Sequence, residues 1–239
     1  MSKNFVFNKN LLQIPLTLSK VPEPRISEGI YYSNENTLNA LEKFLWSKNN
    51  SAKSFFLRGK KGSGKTFWLR SWANEMGESS VYLDLGKSTL INLKNNYKIF
   101  FLDNVDMCSS FDRSKIFEIL NLTHITGNRI VMSSLISVNN LINLSFKTDL
   151  ISRLKQGLIY ELNELGDDLK KDLLRRHLQK LGWINNEYDK SYDYLLSYML
   201  HHLPRELGKL KVILDNLNYV SISNKQAVSI NLVKQMISK

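Results

Sequence analysis

The residues Gly59 to Thr66, "GKKGSGKT", carry the clearest chemistry in the sequence. They fit the pattern G-x-x-x-x-G-K-[S/T], in which the glycines leave backbone amides free to surround phosphate oxygens. Lys65 supplies a positive charge to those phosphates, and the hydroxyl of Thr66 reaches a magnesium ion. The motif follows the apolar run "SFFL" and opens the helical stretch "KTFWLRSWANEM", as this chemistry requires. We therefore predict that a nucleoside di- or triphosphate binds here, at Gly59, Gly62, Ser63, Gly64, Lys65, Thr66 and Phe67.

A second polar position follows the apolar run Ile99–Leu102. Asp103 ends this run, on a predicted strand that follows the phosphate loop. A carboxylate at the end of such a strand completes the coordination shell of Mg²⁺, usually through a water molecule. The alternative is an acid that caps the next helix. The next residue is Asn104, where most nucleotide-hydrolysing proteins of this kind carry a second acid. An amide can orient a water molecule but cannot accept its proton, so we predict slow or negligible hydrolysis at this site.

Two arginines lie where a nucleotide switch would use them. A phosphoryl-transfer site needs positive charge on the group that is transferred. Arg153, in "DLISRLKQGLIYEL", ends a predicted helix just before the last predicted strand, and Arg205, in "LPRELGKL", lies in the first turn of a later helix. Each could contact nucleotide, or could be a surface arginine paired with a nearby acid such as Glu206.

Short apolar runs alternate with helical stretches through the first two thirds of the chain. This alternation predicts parallel strands joined by right-handed crossovers, hence a three-layer α/β fold. The predicted strands cover residues 54–58, 80–85, 99–103, 129–134 and 158–162, and the predicted helices between them start near Lys65, Lys87, Asp112 and Ile136. An earlier helix is predicted over 33–48.

The strand pattern stops at Gly166, and helices are predicted over 167–181, 187–203, 204–218 and the tail from 227. Pro204 is expected at the first position of its helix. The first 25 residues have no helical period and three prolines, which predicts an extended arm. The predicted organisation is an arm (1–25), an α/β domain (26–164) and an all-helical lid domain (165–239).

Five segments occur in the order found in the AAA+ ATPases, and the sequence resembles the DnaA-like branch of that family. The segments are the phosphate loop, "IFFLDN", "MSS", "SRL" and "REL". The resemblance implies the sheet order 5-1-4-3-2. It makes Ser134 or Ser133 a polar sensor near the nucleotide and Arg205 a sensor in the lid. It makes Arg153 an arginine finger that acts in trans on a neighbour's nucleotide. The resident nucleotide is then ADP or ATP with Mg²⁺, and the shorter regulatory members of the family imply ADP.

Two features resemble these regulatory members more than the initiators. The sequence ends at Lys239, after the last predicted lid helix, so we expect no DNA-reading helix-turn-helix domain. "QIPLTL" is similar to a motif that docks on the sliding clamp, the beta subunit of DNA polymerase III. An extended arm can place Gln13 at a polar rim and insert apolar side chains in a pocket; the residues concerned are Gln13, Ile14, Leu16 and Leu18. The alternative is a strand on the domain's own surface. The implied partners are DnaA and the clamp.

Composition limits the function only loosely. The formal charge of +11 favours the DNA backbone or an acidic partner, although a lysine-rich composition explains it equally well. Cys108 is the single cysteine, and no secretory signal or long apolar run is visible, so we expect a cytoplasmic protein. Three alternatives remain, namely an ATP-hydrolysing initiator or helicase loader, a small-molecule kinase and a non-catalytic adaptor. The sequence also leaves open whether the chain associates with itself.

Overall fold

The structure, a computed structural model, describes residues 23–47, 52–91, 97–186, 188–204 and 206–237. The proposed clamp motif at 13–18 and Arg205 therefore lie outside the described residues. The chain divides into two compact units, one formed by Pro22–Glu164 and one that contains Leu165–Lys239. No helix in the described ranges has both the length and the apolar composition that a membrane span requires.

The first unit is built on one five-stranded sheet. Its strands are β1 (Ser54–Arg58), β2 (Ser80–Asp84), β3 (Ile99–Asp103), β4 (Arg129–Ser134) and β5 (Leu158–Glu161). The strands lie in the order β2-β3-β4-β1-β5, and every neighbouring pair is parallel. The predicted order 5-1-4-3-2 is therefore confirmed. Parallel strands bring their carboxyl ends to one edge of the sheet, so β1, β3 and β4 present their last residues together.

Apolar side chains cover both faces of the sheet. Because successive side chains point to opposite faces, Phe100 and Leu102 belong to one buried cluster, and Ile99 and Phe101 belong to another. The helices of this unit are α1 (Glu35–Trp46), α2 (Lys65–Met76), α3 (Ser110–Thr126) and α4 (Thr148–Lys155). The first cluster takes in buried residues of α3 and α4, and the second takes in those of α1 and α2. The continuous apolar runs follow from this burial on two sides.

The loops of this unit differ from the predictions in two places. The helix predicted near Lys87 is absent from the described residues 85–91, because a turn begins at Asp84. The Asp84 side chain accepts a hydrogen bond from the amide of Gly86, and its carbonyl accepts from the amides of Lys87 and Ser88. The helix predicted near Ile136 is instead a 3-10 helix at Val138–Leu144, followed by α4.

The second unit is helical. Its helices are α5 (Asp167–Lys180), α6 (Asp193–His202), α7 (Leu207–Asn224) and α8 (Ile230–Ile237). Leucines such as Leu174, Leu196 and Leu214 are fully buried in a single cluster that draws on all of these helices. Pro204 precedes α7 rather than opening it, so that expectation was wrong.

Candidate nucleotide-binding site

The phosphate loop joins β1 to α2 at the carboxyl edge of the sheet. The amide of Gly59 donates to the carbonyl of Ser134 (3.1 Å), which ties the start of the loop to the end of β4. A Cβ on Gly59 would lie 2.5 Å from Ser63 Oγ and 2.7 Å from the carbonyl oxygen of Leu162, so only glycine fits there. Gly62 and Gly64 have φ angles of 85° and 98°, a left-handed backbone that glycine adopts without strain. The predicted glycines thus shape this turn.

Lys65 is buried under the loop that it is predicted to serve. Its Nζ donates to the carbonyls of Gly59 (2.6 Å) and Lys60 (3.0 Å), and the residue is 6% exposed. Burial lowers the pKa of Lys65, and the charges of Asp103 and Asp106 partly offset that shift. The ammonium group therefore already lies inside the curve of the loop, where phosphate oxygens would compete with the carbonyls for its protons.

Asp103, which ends β3, is fully buried and accepts hydrogen bonds from four groups. Thr66 Oγ1 (2.6 Å) and the hydroxyl of Tyr82 (2.9 Å) donate to Oδ2. The hydroxyl of Ser133 and the amide of Asn104 donate to Oδ1. The structure thus brings together Thr66 and Asp103, the two residues that the sequence assigned to Mg²⁺.

The residues present fit a magnesium nucleotide. Thr66 and Asp103 offer the hydroxyl and carboxylate oxygens that Mg²⁺ prefers, and phosphate oxygens and water would complete the shell. Ser63 Oγ is buried without a hydrogen-bond partner among the described residues, which leaves a donor within the loop. In the described ranges, no group of three or more His, Cys, Asp or Glu side chains is arranged to hold a metal ion.

Tyr82 is a site residue that sequence reasoning missed. It lies on β2, where its hydroxyl crosses to Asp103 on β3. Burial first, and then the adjacent charge of Asp103, raise the pKa of Tyr82 far above its ordinary value, so the phenol stays a proton donor. The guanidinium of Arg70 lies 5.9 Å from the centre of the Tyr82 ring and forms a two-pronged ion pair with Glu23. One signal for Tyr82 was available in the sequence, namely a polar hydroxyl on a predicted strand whose carboxyl end lies at the edge where ligands bind.

Asn104 adopts a left-handed backbone (φ 56°), which asparagine tolerates better than most residues. Its side-chain nitrogen donates to Asp84 Oδ1 at 2.7 Å. Asp84 ends β2 in register with Asp103, so the strand pairing makes this contact possible. Burial acts to raise the pKa of Asp84, but the hydrogen bonds from Asn104, Lys87 and the amide of Gly86 outweigh burial and hold that pKa below its usual value.

The two serines of β4 have different surroundings. Ser133 is buried, and its hydroxyl contacts Asp103 and accepts from the amide of Asn104 (3.2 Å). Ser134 is also buried, but its hydroxyl accepts from the amide of Ile136 (3.1 Å). Neighbouring residues on a strand point to opposite faces, so only one of them can face Asp103. Of the two serines that the resemblance offered as the polar sensor, the structure places Ser133, and not Ser134, beside Asp103.

Aromatic residues cover the start of α2. The ring of Tyr31 meets that of Trp68 edge-on at 5.1 Å, and Phe67 contacts Trp68 in the same way at 5.3 Å. A Cβ on Gly29 would lie 2.2 Å from the Trp68 ring, so the chain before α1 passes directly over it. Trp68 is buried, whereas Phe67 is partly exposed beside the loop.

Arg153 lies near the end of α4. Leu150, Ile151 and Leu154 turn the apolar face of this helix into the core, which leaves Arg153 exposed. Its guanidinium forms no hydrogen bond or ion pair with the part of the chain that the structure describes. The alternative of a surface arginine held by a nearby acid therefore has no support among those residues.

No protein-family description matches the sequence. An uncharacterized protein of Haemophilus influenzae is 26% identical over 238 residues, which make up 95% of this chain and 98% of that protein. The crystal structure of domain III from the Thermotoga maritima replication initiation protein DnaA matches with a TM-score of 0.69 at 20% identity, over 91% of this chain and 100% of that one. AMPPCP-bound DnaA from Aquifex aeolicus matches with a TM-score of 0.58 at 21% identity, over 77% of this chain and 62% of that one.

These matches define the fold. The chain has the α/β AAA+ fold, with the five-stranded parallel sheet and helices of the kind found in domain III of DnaA.

Proposed function

We propose that this chain is a nucleotide-binding regulator of chromosomal replication initiation that resembles Hda, the regulatory inactivator of DnaA. In this proposal the protein acts in the cytoplasm, is tethered to the sliding clamp through Gln13, Ile14, Leu16 and Leu18, and stimulates hydrolysis of DnaA-bound ATP. DnaA is then left with ADP and cannot start another round of replication.

Nucleotide binding is the first step of the proposal. It is supported by the glycine-shaped loop, by the buried Lys65 and by the contact between Thr66 and Asp103. AMPPCP, an ATP analogue, is bound to one DnaA of similar fold. A bound nucleotide would take over the donors of the loop, and Mg²⁺ held by Thr66 and Asp103 would neutralise phosphate charge. By the resemblance, Arg205 would also contact the nucleotide.

The guanidinium of Arg153, which is exposed and pairs with no acid among the described residues, is the observation that carries the regulatory function. An exposed guanidinium keeps its five donors available for water or for the phosphates of a partner. A guanidinium that reaches the γ-phosphate of a neighbouring subunit stabilises the charge of the transition state and is worth ~10³–10⁵ in rate. The tether adds to this effect because it raises the local concentration of the chain beside DnaA.

The chain's own site is proposed to bind nucleotide without turning it over quickly. Asn104 cannot take a proton from the attacking water, and its amide is already engaged by Asp84. The nucleotide, ADP in this proposal, then serves as a structural ligand. Self-association and contacts with the DNA backbone are compatible with this function but are not needed for it.

A reconstitution tests the proposal. It contains DnaA loaded with labelled ATP, clamp loaded on DNA, and this chain, and it follows conversion of DnaA-bound ATP to ADP. We expect conversion to need both the chain and the loaded clamp. Fast ATP turnover by the chain alone, with no effect on DnaA, would instead favour an ATP-hydrolysing initiator or helicase loader.

A further inference from the structure

A cavity of about 540 Å³ lies in the first unit, between the C-terminal halves of α1 and α2 and residues 25–27. Its volume falls within the range of pockets that hold small ligands, about 300–1,000 Å³. One of its lining residues, Glu75, lies ten residues after Lys65 on α2, which is about 15 Å along the helix axis. The cavity is therefore separate from the phosphate loop.

Each of the two helices contributes one tryptophan and one glutamate to this cavity. Glu42 and Trp46 lie four residues apart on α1, and Trp72 and Glu75 lie three residues apart on α2. Side chains at these spacings are neighbours on one face of a helix. Trp72 is 2% exposed and Trp46 is 59% exposed. The cavity thus has a buried aromatic wall, an exposed aromatic rim and two carboxylates.

No basic group neutralises these two carboxylates within the part of the chain that the structure describes. Glu42 and Glu75 form no ion pair or hydrogen bond there. Two arginines of the same region are already engaged, since Arg70 donates to both carboxylate oxygens of Glu23 and Arg129 donates to two carbonyls at the end of α1. On a chain with a formal charge of +11, such a region attracts a cation rather than an anion.

The cavity also contains donors that lack an acceptor. Nε1 of Trp72 is buried and has no hydrogen-bond partner in the described ranges, although a buried indole N–H usually donates to one. The guanidinium of Arg25, at the rim, is exposed and forms no hydrogen bond or ion pair with the described residues. A ligand that satisfies this cavity therefore carries an acceptor oxygen as well as a positive charge.

From these features we infer that the cavity binds an arginine side chain in a segment of a partner protein. The guanidinium lies against Glu42 and Glu75 and over the ring of Trp46, and a main-chain carbonyl of the segment accepts from the donors of the cavity. Arginine fits better than lysine, because its planar group has five donors that can bridge two carboxylates and can stack on an aromatic ring. This site depends neither on Arg153 nor on bound nucleotide.

An NMR titration of the isotope-labelled full chain with the blocked peptide acetyl-Gly-Arg-Gly-amide tests the inference. The chain has four tryptophans, and each gives one indole N–H signal. We expect the peptide to move the signals of Trp46 and Trp72 in a saturable way, and to leave that of Trp183, whose Nε1 donates to Asn218 at 2.7 Å. A peptide with citrulline, which keeps the shape of arginine without its charge, should bind at least about tenfold more weakly.

Two double variants separate the cavity from a general effect of charge. Glu42→Gln/Glu75→Gln should lower the affinity for the arginine peptide at least about tenfold, because both charge-assisted contacts are lost. Glu35→Gln/Glu78→Gln removes two exposed carboxylates from the start of α1 and from the turn after α2, neither of which lines the cavity, and it should bind like the parent. Urea unfolding of each variant checks that the fold is kept.

The exposed position of Trp46 allows a third variant. Trp46→Leu keeps an apolar side chain but removes the ring under the guanidinium, so the affinity should fall by about threefold or more. Equal affinity for the arginine and citrulline peptides, or for the two double variants, overturns the inference. So does a titration at millimolar peptide that moves neither the Trp46 nor the Trp72 signal.

Two further results would assign the cavity to another source of the same group. Free arginine that binds more tightly than the blocked peptide would identify an amino acid as the ligand. Sedimentation that shows self-association of the parent, lost in Glu42→Gln/Glu75→Gln, would identify a second copy of this chain. Either result would overturn the assignment to a partner protein, whereas tighter binding of the peptide by a monomeric chain supports it.

Discussion

The hydroxyl of Tyr82 on β2 donates to Oδ2 of Asp103 on β3 across 2.9 Å. Thr66 donates to the same oxygen, so one carboxylate joins β3, the neighbouring strand β2 and the phosphate loop. Residues that hydrogen-bond to the ligands of a metal orient those ligands, and their loss typically lowers the affinity for the metal by roughly 10–100-fold. Tyr82 therefore positions Asp103.

Tyr82→Phe should weaken the site without disrupting the sheet. Loss of a hydrogen bond to a charged group costs ~1.5–3 kcal/mol in the free energy of unfolding, and Mg²⁺ should be needed at a higher concentration for nucleotide binding. Urea unfolding and a Mg²⁺ titration with a fluorescent nucleotide measure both effects. Tyr97→Phe is the matched control, because no hydrogen bond from the Tyr97 hydroxyl occurs within the described ranges. Equal effects of the two changes would contradict the role of Tyr82.

Gly59→Ala should abolish nucleotide binding. The added methyl would lie 2.7 Å from the backbone carbonyl of Leu162, which cannot move without displacing the strand end, and 2.5 Å from Ser63 Oγ. Binding of a fluorescent nucleotide measures the loss. Gly166→Ala is a suitable control, since its Cβ would meet nothing within 4 Å, and it should bind nucleotide like the parent. Normal binding by Gly59→Ala would show that the loop does not form the site.

Arg175→Gln should destabilise the chain at neutral pH and have little effect in acid. The hydrogen bonds from Arg175 to Asp193, at 2.7 and 2.8 Å, are the main cause that holds the pKa of Asp193 below its ordinary value. A carboxylate with a lowered pKa in the folded state stabilises that state above its unfolded pKa of about 3.9, and the contribution is lost as pH falls through the folded pKa.

We expect a loss of about 1–2 kcal/mol at pH 7, because both groups are only partly buried. A double-mutant cycle with Asp193→Asn, measured by urea unfolding at neutral and at acidic pH, isolates the coupling between the two side chains. A coupling energy that stays constant down to strongly acidic pH would contradict this account.

Cys108 should react slowly with thiol reagents in the folded protein. It is 7% exposed, and burial raises its pKa to about 11. At pH 8 only about one molecule in a thousand carries the reactive thiolate. Alkylation should therefore be at least about a hundred times faster in urea than in buffer, and the native rate should rise with pH toward 11. Equal rates in urea and in buffer would contradict the buried position.

The strands were predictable from the sequence for a physical reason. The inner strands β1, β3 and β4 are mostly buried on both faces, so each contains a short continuous apolar run such as Ile99–Leu102. The run ends where a polar side chain reaches the edge of the sheet. The phosphate loop was equally readable, because its chemistry lies within eight consecutive residues, Gly59 to Thr66.

The rest of the site depends on contacts between strands, which a single strand does not reveal. Asp84 reaches Asn104 because β2 and β3 pair in the register Asp84↔Asp103. Ser133 faces Asp103 because successive side chains of β4 point to opposite faces of the sheet, and that of Ser133 points to the Asp103 side. The helix predicted near Lys87 is absent from the described residues 85–91 for a local reason, because a turn at Asp84 occupies that stretch. The strands and the phosphate loop were thus predictable from local sequence, whereas the contacts between strands were not.

The most direct measurement compares Arg153→Ala with Lys155→Ala in the reconstitution of DnaA, loaded clamp and DNA. Both residues are exposed basic groups in the last turn of α4, so the second variant removes the same charge two residues away. We predict that Lys155→Ala stimulates conversion of DnaA-bound ATP to ADP like the parent. Arg153→Ala should lose ~10³-fold or more of that stimulation while its own nucleotide binding is unchanged. Full stimulation by Arg153→Ala would contradict the account.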